Sequence, residues 1–542
     1  MSGENDAPPT GGWGWSPIVD RTRSQLGTVT EASPKSGDDT YLACLSKVDW
    51  DQTAFRWFLF FDMVPAEAAL LAMSALATPG LPPPATPMIY FHATDAIDGI
   101  VLQSLGLKSD ADLAEASWYI LQLAQGGDRS TAVVGDLYHP DLGIVSDTAP
   151  DYGEYQIVQA ELIGIPYRKG PRTLIGPPSA PSSGRDGARA DDVRNGGMKR
   201  SRSFVALDGR DPLGAVGNYV PRGRYKRLRA VAPPPVAPPI SAVGVMDVGQ
   251  GGCNLLIDNH HEPTAYYDTG YPLNFFVASL PPNMRRNNPA FTGPIYQNTG
   301  GTLEVVLSHW DYDHWALGRY VAPGGQSLSL LPWTVPTQPL SPTQAQFLAT
   351  LNVAILPPGF AVQAGPGGST LYECTPPIGA VAGMILNNSG IALRFDTWLP
   401  VAGQVSRGVL LTADANFTSL PALASANLAG VGAVHHGSSA NGALGGMPLP
   451  LPAVGGGYVA YSYGISGTSG NHAYGFPTAA AVAAYQAAGW TAPREQSTAE
   501  AGNLNAVPSL PQNHGNIRMG DQTNLPGVYN GSAFWAIGHA LQ

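Results

Sequence analysis

From residue 241 onward, the chain repeats one pattern, in which short apolar runs alternate with turns rich in glycine. Runs of about four to eight apolar residues bounded by such turns are typical of strands buried in a sheet. Helical stretches intervene, notably PTAAAVAAYQAAG. Strands with interspersed helices predict an α/β fold in which sheet layers are covered by helices. The predicted strands include AVGVMDV, CNLLID, TAYYDTG, LEVVLS, GIALRFD, RGVLLTAD, VGAVHHG and YVAYSYG.

Polar side chains stand at the ends of three of these strands. Imidazole and carboxylate groups together suit zinc, manganese or iron, and several of them can hold one or two divalent ions. The hexapeptide HWDYDH alone is compatible with a polar surface turn, but three strand ends of this kind favour a metal site. The polar residues are, in chain order, His309, Asp311, Asp313, His314, Asp414, His435 and His436.

With these residues in this order, the sequence resembles the metallo-β-lactamase superfamily, whose signature is H-x-H-x-D-H followed by an Asp and a His on later strands. Its nearest likeness is to the C-terminal hydrolase domain of ComEC-type DNA-uptake proteins, which also has Asp at the second position of the hexapeptide, here Asp311. The resemblance covers residues 241–542. Further motifs that it shares with that subgroup are DVGQG at 247–251, DTG at 268–270, NNS at 387–389 and HHGS at 435–438.

The resemblance implies an α/β fold of the metallo-β-lactamase αββα sandwich type and a site for two divalent ions, zinc or manganese. One ion would be bound by His309, Asp311 and one of His435 or His436, the other by Asp313 and His314, with Asp414 as the bridge. An aspartate in place of an imidazole makes the site harder, which favours manganese relative to an all-histidine site. The implied metal ligands are His309, Asp311, Asp313, His314, Asp414 and His435, and the implied catalytic residues are Asp311, Asp313 and Asp414.

Substrate contacts are expected from residues in the other shared motifs. One motif departs from the subgroup: its N-x-Y-G-H-P stretch is HAYGFP here, with His472 at the asparagine position and Phe476 at the histidine position. We therefore consider His472 as a substitute for the missing group. The expected substrate-binding residues are His436, Ser438, Asn388, Gln250, His472 and Tyr474.

Several of the polar and aromatic residues also have structural interpretations. Ser438 suits a helix cap as well as a phosphate contact. Trp310 and Trp315 are expected to pack in the core or at the rim of the site, with stacking on a base as the alternative. His260 lies in a turn between two predicted strands and is expected to be an exposed loop residue.

The first half of the chain shows no motif that we can assign. Residues 1–38 are predicted to be a flexible arm, 39–167 a mixed α/β domain of unknown role, and 168–240 a disordered basic linker rich in proline and glycine. Within the second of these, DADLAEASWYILQLAQ has helical spacing and STAVVGDLY is strand-like. The apolar segment FRWFLFFDMVPAEAALLAMSALA is interrupted by charge and proline, which predicts a core strand followed by a helix.

Charge is distributed unevenly along the chain. Residues 168–229 carry 15 of the 29 Lys and Arg residues against five acidic ones, although the whole chain has a net charge of −11. Basic stretches supply contacts to phosphates that are independent of sequence. This segment is therefore a candidate for nucleic-acid binding, with a solvated tether as the alternative.

Together these features predict a metal-dependent phosphodiesterase that acts on nucleic acid, on DNA in preference to RNA, and specifically a nuclease with a two-metal-activated water. A bacterial defence effector fits this layout, with the N-terminal domain as a sensor or protein-binding domain. Two alternatives stay open: a hydrolase of small cyclic nucleotides or of another ester, and a partner-binding module that regulates the hydrolase. The unpaired spacing of Cys44, Cys253 and Cys374, and the lack of a signal or membrane span, predict a cytoplasmic protein without membrane contact.

Overall fold

The computed structural model describes about half of the 542-residue chain, mainly in two regions. These regions lie between residues 38 and 164 and between residues 239 and 540. The described residues are 38–51, 56–69, 89–108, 113, 117–138, 153–164, 239–246, 248, 251–260, 262–271, 303–319, 328–338, 340–376, 386–397, 407–438, 449–453, 457–462, 477–490, 495–497, 516–520 and 538–540. The predicted arm and nearly all of the predicted basic linker lie outside them.

The first region forms a closed barrel of six strands, paired in the order β1–β2–β3–β5–β6–β4 with antiparallel neighbours. A short helix, α1, follows β3. Leu45, Phe61, Phe91 and Tyr119 belong to the apolar cluster that fills the barrel. The elements are β1 (Asp38–Asp51), β2 (Arg56–Pro65), β3 (Ile89–Ile97), α1 (Asp98–Ser104), β4 (Ser117–Gln125), β5 (Val134–Tyr138) and β6 (Gly153–Gly164).

The helical spacing that we predicted over DADLAEASWYILQLAQ is wrong for its second half, because Ser117–Gln125 is strand β4. This strand pairs with β1 on one side and with β6 on the other. Residues 117–121 are buried on both faces, so the alternation that marks a half-exposed strand is absent. The predicted strands in STAVVGDLY and at the start of FRWFLFFDMVP are confirmed as β5 and β2.

The described part of the second region contains two sheets and three α-helices. Seven of the eight predicted strands that were named from residue 241 onward are present, and the predicted helix PTAAAVAAYQAAG is confirmed. The prediction over VGAVHHG is wrong for most of its length, because only Val431 and Gly432 belong to a strand and Val434–Gly437 forms a 3₁₀ turn. The elements are β7 (Ile240–Val245), β8 (Cys253–Asp258), β9 (Pro263–Thr269), β10 (Glu304–Val306), α2 (Tyr312–Trp315), β11 (Pro332–Pro336), α3 (Pro342–Thr350), β12 (Asn352–Leu356), β13 (Val362–Ala364), β14 (Thr370–Glu373), β15 (Ile391–Thr397), β16 (Arg407–Leu411), β17 (Leu428–Gly432), β18 (Tyr458–Tyr461), α4 (Ala479–Ala487), β19 (Glu495–Ser497), β20 (Asn516–Gly520) and β21 (Gly538–Ala540).

The strands divide into a sheet of eight, in the order β12–β11–β10–β9–β8–β7–β20–β21, and a sheet of seven, in the order β13–β14–β15–β16–β17–β18–β19. The two sheets share one apolar core, which includes Val243 and Leu256 from the first and Leu393 and Val409 from the second. In the first sheet, β9, β10, β11 and β12 run parallel, and in the second, β16, β17, β18 and β19 do. Their carboxyl ends lead into the loops that form the site.

A helix packs against the outer face of each sheet. Phe347 of α3 lies in the same cluster as Trp333 of β11, and Tyr485 of α4 lies with Val459 of β18. Trp310 and Trp315 are buried in the first of these clusters, which places them in the core. In the described parts of the chain, no helix has both the length and the apolar character to cross a bilayer.

The barrel packs directly on the eight-stranded sheet, next to the hexapeptide. Phe60 and Tyr90 of the barrel contact Tyr312, with ring centroids 6.1 and 5.9 Å away. The carboxylate of Asp62 accepts hydrogen bonds from the backbone N–H and the hydroxyl of Thr343, at the start of α3, over 3.0 and 2.9 Å. The barrel is therefore part of the surroundings of the candidate site.

Candidate metal centre

Three strands bring the predicted ligands to one edge of the paired sheets. β10 is followed by the hexapeptide, β16 by Asp414, and β17 by the histidine pair 435–436. The carboxyl ends of these parallel strands meet at that edge, where side chains from distant parts of the sequence come together. All the predicted ligands are buried there: His309, Asp311, Asp313, His314, Asp414, His435 and His436.

Asp414 lies between the imidazoles. Its Oδ1 is 3.2 Å from Nε2 of His314, and its Oδ2 is 3.7 Å from Nε2 of His309 and 3.6 Å from Nε2 of His435. Nε2 of His309 is also 3.4 Å from Oδ2 of Asp311. We call the set formed by His309, His314 and Asp414 the first position, since their ligand atoms are close enough to bind one ion.

A second set of ligand atoms lies beside the first. Asp313, His314 and His436 also have spacing suitable for an ion, and we call this set the second position. Nε2 of His436 is 3.7 Å from Oδ2 of Asp313. Both histidines of the pair thus face the cluster, each opposite a different carboxylate, and His436 lies with the ligand atoms.

Hydrogen bonds fix the orientation of three of the imidazoles. Nδ1 of His314 is 2.9 Å from Oδ2 of Asp268, and Nδ1 of His436 is 2.6 Å from the carbonyl oxygen of Ser462. Because both partners only accept, each Nδ1 carries the proton and Nε2 faces the cluster. The Ser308 hydroxyl donates to Asp268 over 2.8 Å, so it accepts from Nδ1 of His309 at 2.9 Å.

Within the described residues, at least six polar atoms of the cluster are buried and lie outside any hydrogen bond of normal geometry. Buried polar groups are otherwise nearly always paired, since an unmet one costs about 1–3 kcal/mol. Oxygen and imidazole nitrogen atoms that converge in this way fit a divalent ion of the zinc or manganese type. The six atoms are Nε2 of His309, Nε2 of His314, both carboxylate oxygens of Asp311 and both carboxylate oxygens of Asp414.

The cluster strongly perturbs the acidity of its members. Burial alone would raise the pKa of Asp414, but the imidazoles of His435 and His314 hold that pKa well below its usual range. Burial would lower the pKa of His314, but Asp414 and Asp268 outweigh it and raise that pKa well above its usual value. A cation that binds at Nε2 of His314 would therefore replace a proton there.

The backbone is strained around the cluster. Four non-glycine residues in or beside it adopt positive φ angles: Asp268 at 64°, Ala413 at 50°, His435 at 46° and His436 at 56°. Such conformations cost about 1–3 kcal/mol each and persist where the surrounding structure enforces them. Here the backbone N–H of His435 donates to the carbonyl of Ala413, which ties the histidine pair to the turn before Asp414.

Two glycines, Gly252 directly after the DVGQG stretch and Gly270 within the DTG stretch, hold the hexapeptide in place. The backbone N–H of Gly252 donates to the carbonyl of Asp313 over 2.8 Å, and a Cβ atom there would lie 2.7 Å from Nδ1 of His314. At Gly270, a Cβ atom would lie 1.7 Å from the same carbonyl. The DVGQG and DTG stretches thus allow two loops to approach α2 closely, which any larger residue would prevent.

Asp313 has a partner from the barrel. The ammonium group of Lys47 lies 3.1 Å from Oδ1 and 3.0 Å from Oδ2 of Asp313, and both side chains are buried. Burial would raise the pKa of Asp313, but Lys47 and then His436 hold it well below its usual range. Sequence analysis did not predict that residue 47 would reach this cluster.

The residues that we expected to bind substrate lie in different places. Oδ1 of Asn388 accepts from the backbone N–H of Asn416 and the hydroxyl of Ser419, so it supports the loop after Asp414. The backbone N–H of Ser438 donates to the carbonyl of His435 at the end of the histidine turn. Gln250, His472 and Tyr474 lie outside the described residues.

Sequence reasoning missed four residues that shape the cluster. Asp268 was noted as part of the DTG motif, but its contact with His314 was not anticipated. A carboxylate near the end of a strand, within a shared motif, was a usable signal for this role. The missed residues are Lys47, Asp268, Ser308 and Ser462.

Comparison with known proteins adds no identification. No protein-family model matches the chain, and a search of curated proteins finds no match either. The function is therefore argued from the site.

Proposed function

We propose that this chain is a divalent-metal-dependent phosphodiesterase with a metallo-β-lactamase αββα sandwich, and that it acts on nucleic acid as a nuclease. The observation that carries the proposal is the convergence of buried nitrogen and oxygen atoms without hydrogen bonds at the carboxyl ends of β10, β16 and β17. Two sheets that share a core, each with a helix on its outer face, support the fold assignment.

The residues of the site have separate tasks in this proposal. Asp414 lies between His309, His314 and His435 and is the common anchor for an ion. Asp268 and Ser308 hold two of the rings with Nε2 towards that ion. A divalent ion bound there would supply an activated water and neutralise charge on a phosphate.

A pocket beside the cluster lies at the junction of the two sheets and is lined by both apolar and polar side chains. Among its polar lining are Asp268, His314, Asp414, His436 and Ser462. A substrate phosphate that enters from this side would meet His436 and Ser462 next to the ligand atoms.

Nucleic acid is the proposed substrate for two reasons. The motif order resembles that of the ComEC-type hydrolase domain, and residues 168–229 carry an excess of ten positive charges. Charge of this kind provides phosphate contacts that do not depend on sequence. We therefore propose that the segment before β7 brings DNA to the site, with DNA preferred over RNA.

The test is a cleavage assay on purified full-length protein that has been stripped with chelator and reloaded with manganese or zinc. Linear, circular and single-stranded DNA are offered beside RNA, cyclic nucleotides and a chromogenic phosphodiester. Asp414→Asn is the inactive control, and His260→Ala, on the exposed turn after β8, is the active control. Metal-dependent cleavage of DNA that Asp414→Asn abolishes is the expected result.

Other outcomes separate the alternatives. Turnover of cyclic nucleotides or the chromogenic ester without cleavage of any polymer would replace the nuclease by a small-molecule phosphodiesterase. Failure of the stripped protein to bind either metal would remove the metal centre from the proposal.

A further inference from the structure

Lys47 is the one lysine among the described residues that lies in the candidate metal centre, and it comes from the barrel. Its side chain is 5% exposed, and its ammonium group faces both oxygens of Asp313 at nearly equal distances, 3.1 and 3.0 Å. A lysine is rarely buried this deeply unless a charged partner requires it. The contact joins residues that are 266 positions apart in the chain.

The barrel aims this lysine by an irregularity in β1. Leu45 pairs with Phe61 and Lys47 pairs with Phe60, so Ser46 is an extra residue in the ladder between β1 and β2. Leu45 points into the barrel core. Strict alternation would turn residue 47 inward as well, whereas the bulge at Ser46 places Lys47 on the opposite face, towards Asp313.

The barrel also holds the lysine rigidly. Phe60, the partner of Lys47 across the ladder, packs against Tyr312, the residue before Asp313. Tyr90 also contacts Tyr312, edge to face, and Asp62 is hydrogen-bonded to Thr343. Lys47 and Asp313 are thus fixed by the same contact between barrel and sheet.

This arrangement conflicts with an ion at the second position. An ion bound to a carboxylate oxygen lies about 2.0–2.2 Å from it, while the Lys47 ammonium is already 3.0 Å from the same oxygen of Asp313. Two cations that share one buried carboxylate oxygen repel each other strongly. The first position shares His314 with the second, but its other two members, His309 and Asp414, are not grouped with Asp313, the partner of the lysine.

We propose that Lys47 takes the place of the second cation, so that the centre holds one divalent ion at the first position and the barrel supplies the other positive charge. This inference rests on the proposed function, since it concerns the same metal centre, and it replaces the expectation of two ions with one. Lys47 acts through Asp313 and is a positioning residue. A barrel of unassigned role thereby becomes part of the hydrolase site.

The experiment counts ions in folded, full-length protein. Wild type, Lys47→Met, Lys47→Arg and Lys108→Ala are stripped with chelator, loaded separately with manganese and with zinc, desalted and analysed by inductively coupled plasma mass spectrometry. Lys47→Met keeps the apolar stem and removes the charge, Lys47→Arg keeps the charge, and Lys108 is an exposed lysine of the same barrel. Calorimetric titration with each metal gives the affinities.

The expected result is one ion per chain for wild type, Lys47→Arg and Lys108→Ala, and two for Lys47→Met. Two ions in wild type would overturn the inference, and so would a single ion in folded Lys47→Met. No ion in any variant would instead overturn the metal centre itself, which distinguishes failure of the proposed function.

A second variant keeps the test decisive if Lys47→Met does not fold. Asp313→Asn removes the carboxylate from the second position and leaves the barrel sequence intact. We expect this variant to retain one ion with little change in affinity. Loss of that ion would show that Asp313 binds the resident metal, which overturns the assignment of Asp313 to Lys47.

Discussion

The contact between Asp62 and the start of α3 is expected to make the unfolding free energy depend on pH. Asp62 lies on β2 and is 2% exposed, and its carboxylate accepts two hydrogen bonds from Thr343. Burial raises the pKa of Asp62 from 3.8 to about 6, although hydrogen bonds from Ser341 and Thr343 and the charge of Arg319 act in the opposite direction. The protonated carboxyl of Asp62 is therefore more favoured in the folded chain than in the unfolded chain.

Protonation of Asp62 is coupled to folding, and the direction of its pKa shift decides how stability changes with pH. A folded-state pKa above the unfolded one gives a stability contribution that is fully present below pH 3.8 and is lost as the pH rises through about 6. At 1.36 kcal/mol for each pKa unit, the rise from 3.8 to about 6 corresponds to about 3 kcal/mol of unfolding free energy. Above that pH, the ionised carboxylate opposes packing of the barrel on α3.

Asp62→Asn removes this titration and keeps the shape of the side chain. We expect the unfolding free energy of the variant, relative to wild type, to rise by up to about 3 kcal/mol between pH 4 and pH 7.5. Urea denaturation of metal-free protein at several pH values measures the difference. The lowered pKa values of Asp313 and Asp414 act with the opposite sign, but they are common to both proteins and cancel.

Asp39→Asn is the matched control, because Asp39 is an exposed carboxylate on the same barrel. The difference in unfolding free energy between Asp39→Asn and wild type should stay constant between pH 4 and pH 7.5. If the difference for Asp62→Asn is equally flat, burial of Asp62 at the contact does not control its ionisation, and the reasoning fails.

Three further predictions concern the candidate metal centre and the basic segment that precedes the second region. Asp268→Asn takes away the acceptor that keeps the proton on Nδ1 of His314, so calorimetry should show metal affinity lower by about 10–100-fold, while an unchanged affinity would contradict the role of Asp268. Asp414→Asn should lower metal-dependent hydrolysis by more than about 100-fold while the protein remains folded, whereas His260→Ala should stay near wild type. Deletion of residues 179–229 should weaken DNA binding and flatten its dependence on salt; the same affinity and slope as wild type would show that the segment is only a tether.

The strands and the ligand set could be predicted from residue 241 onward because two local signals coincide there. Apolar runs bounded by glycine-rich turns mark strands, and the polar residues that follow three of them gather wherever parallel strands end together. Neither signal depends on knowing the partner strand. The positions of Asp414 and of the histidine pair in the structure follow from these signals.

The orientation of each ligand could not be predicted in this way. The sequence left open which of His435 and His436 faces the cluster, and both do, because each has a positive φ angle. A left-handed conformation at two successive non-glycine residues is unfavourable on local grounds. Contacts of the turn with Ala413 and Ser462 contribute to holding it in this conformation.

The wrong helix prediction in the barrel has a physical cause. A closed barrel that also packs on a sheet buries the outward face of its strands as well as the inward one, so Leu42 and Cys44 of β1 are buried beside Tyr41 and Ala43. The alternation that distinguishes a strand from a helix is then lost, which explains the wrong helix over β4. In such a uniformly apolar run, however, a single lysine has no solvent to reach. Lys47 in LACLSKVDW therefore required a buried anion, and the fold provides it in Asp313. The same burial that concealed the strand pattern thus makes the lysine informative, because its charge can be accommodated only where another part of the chain presents an uncompensated carboxylate.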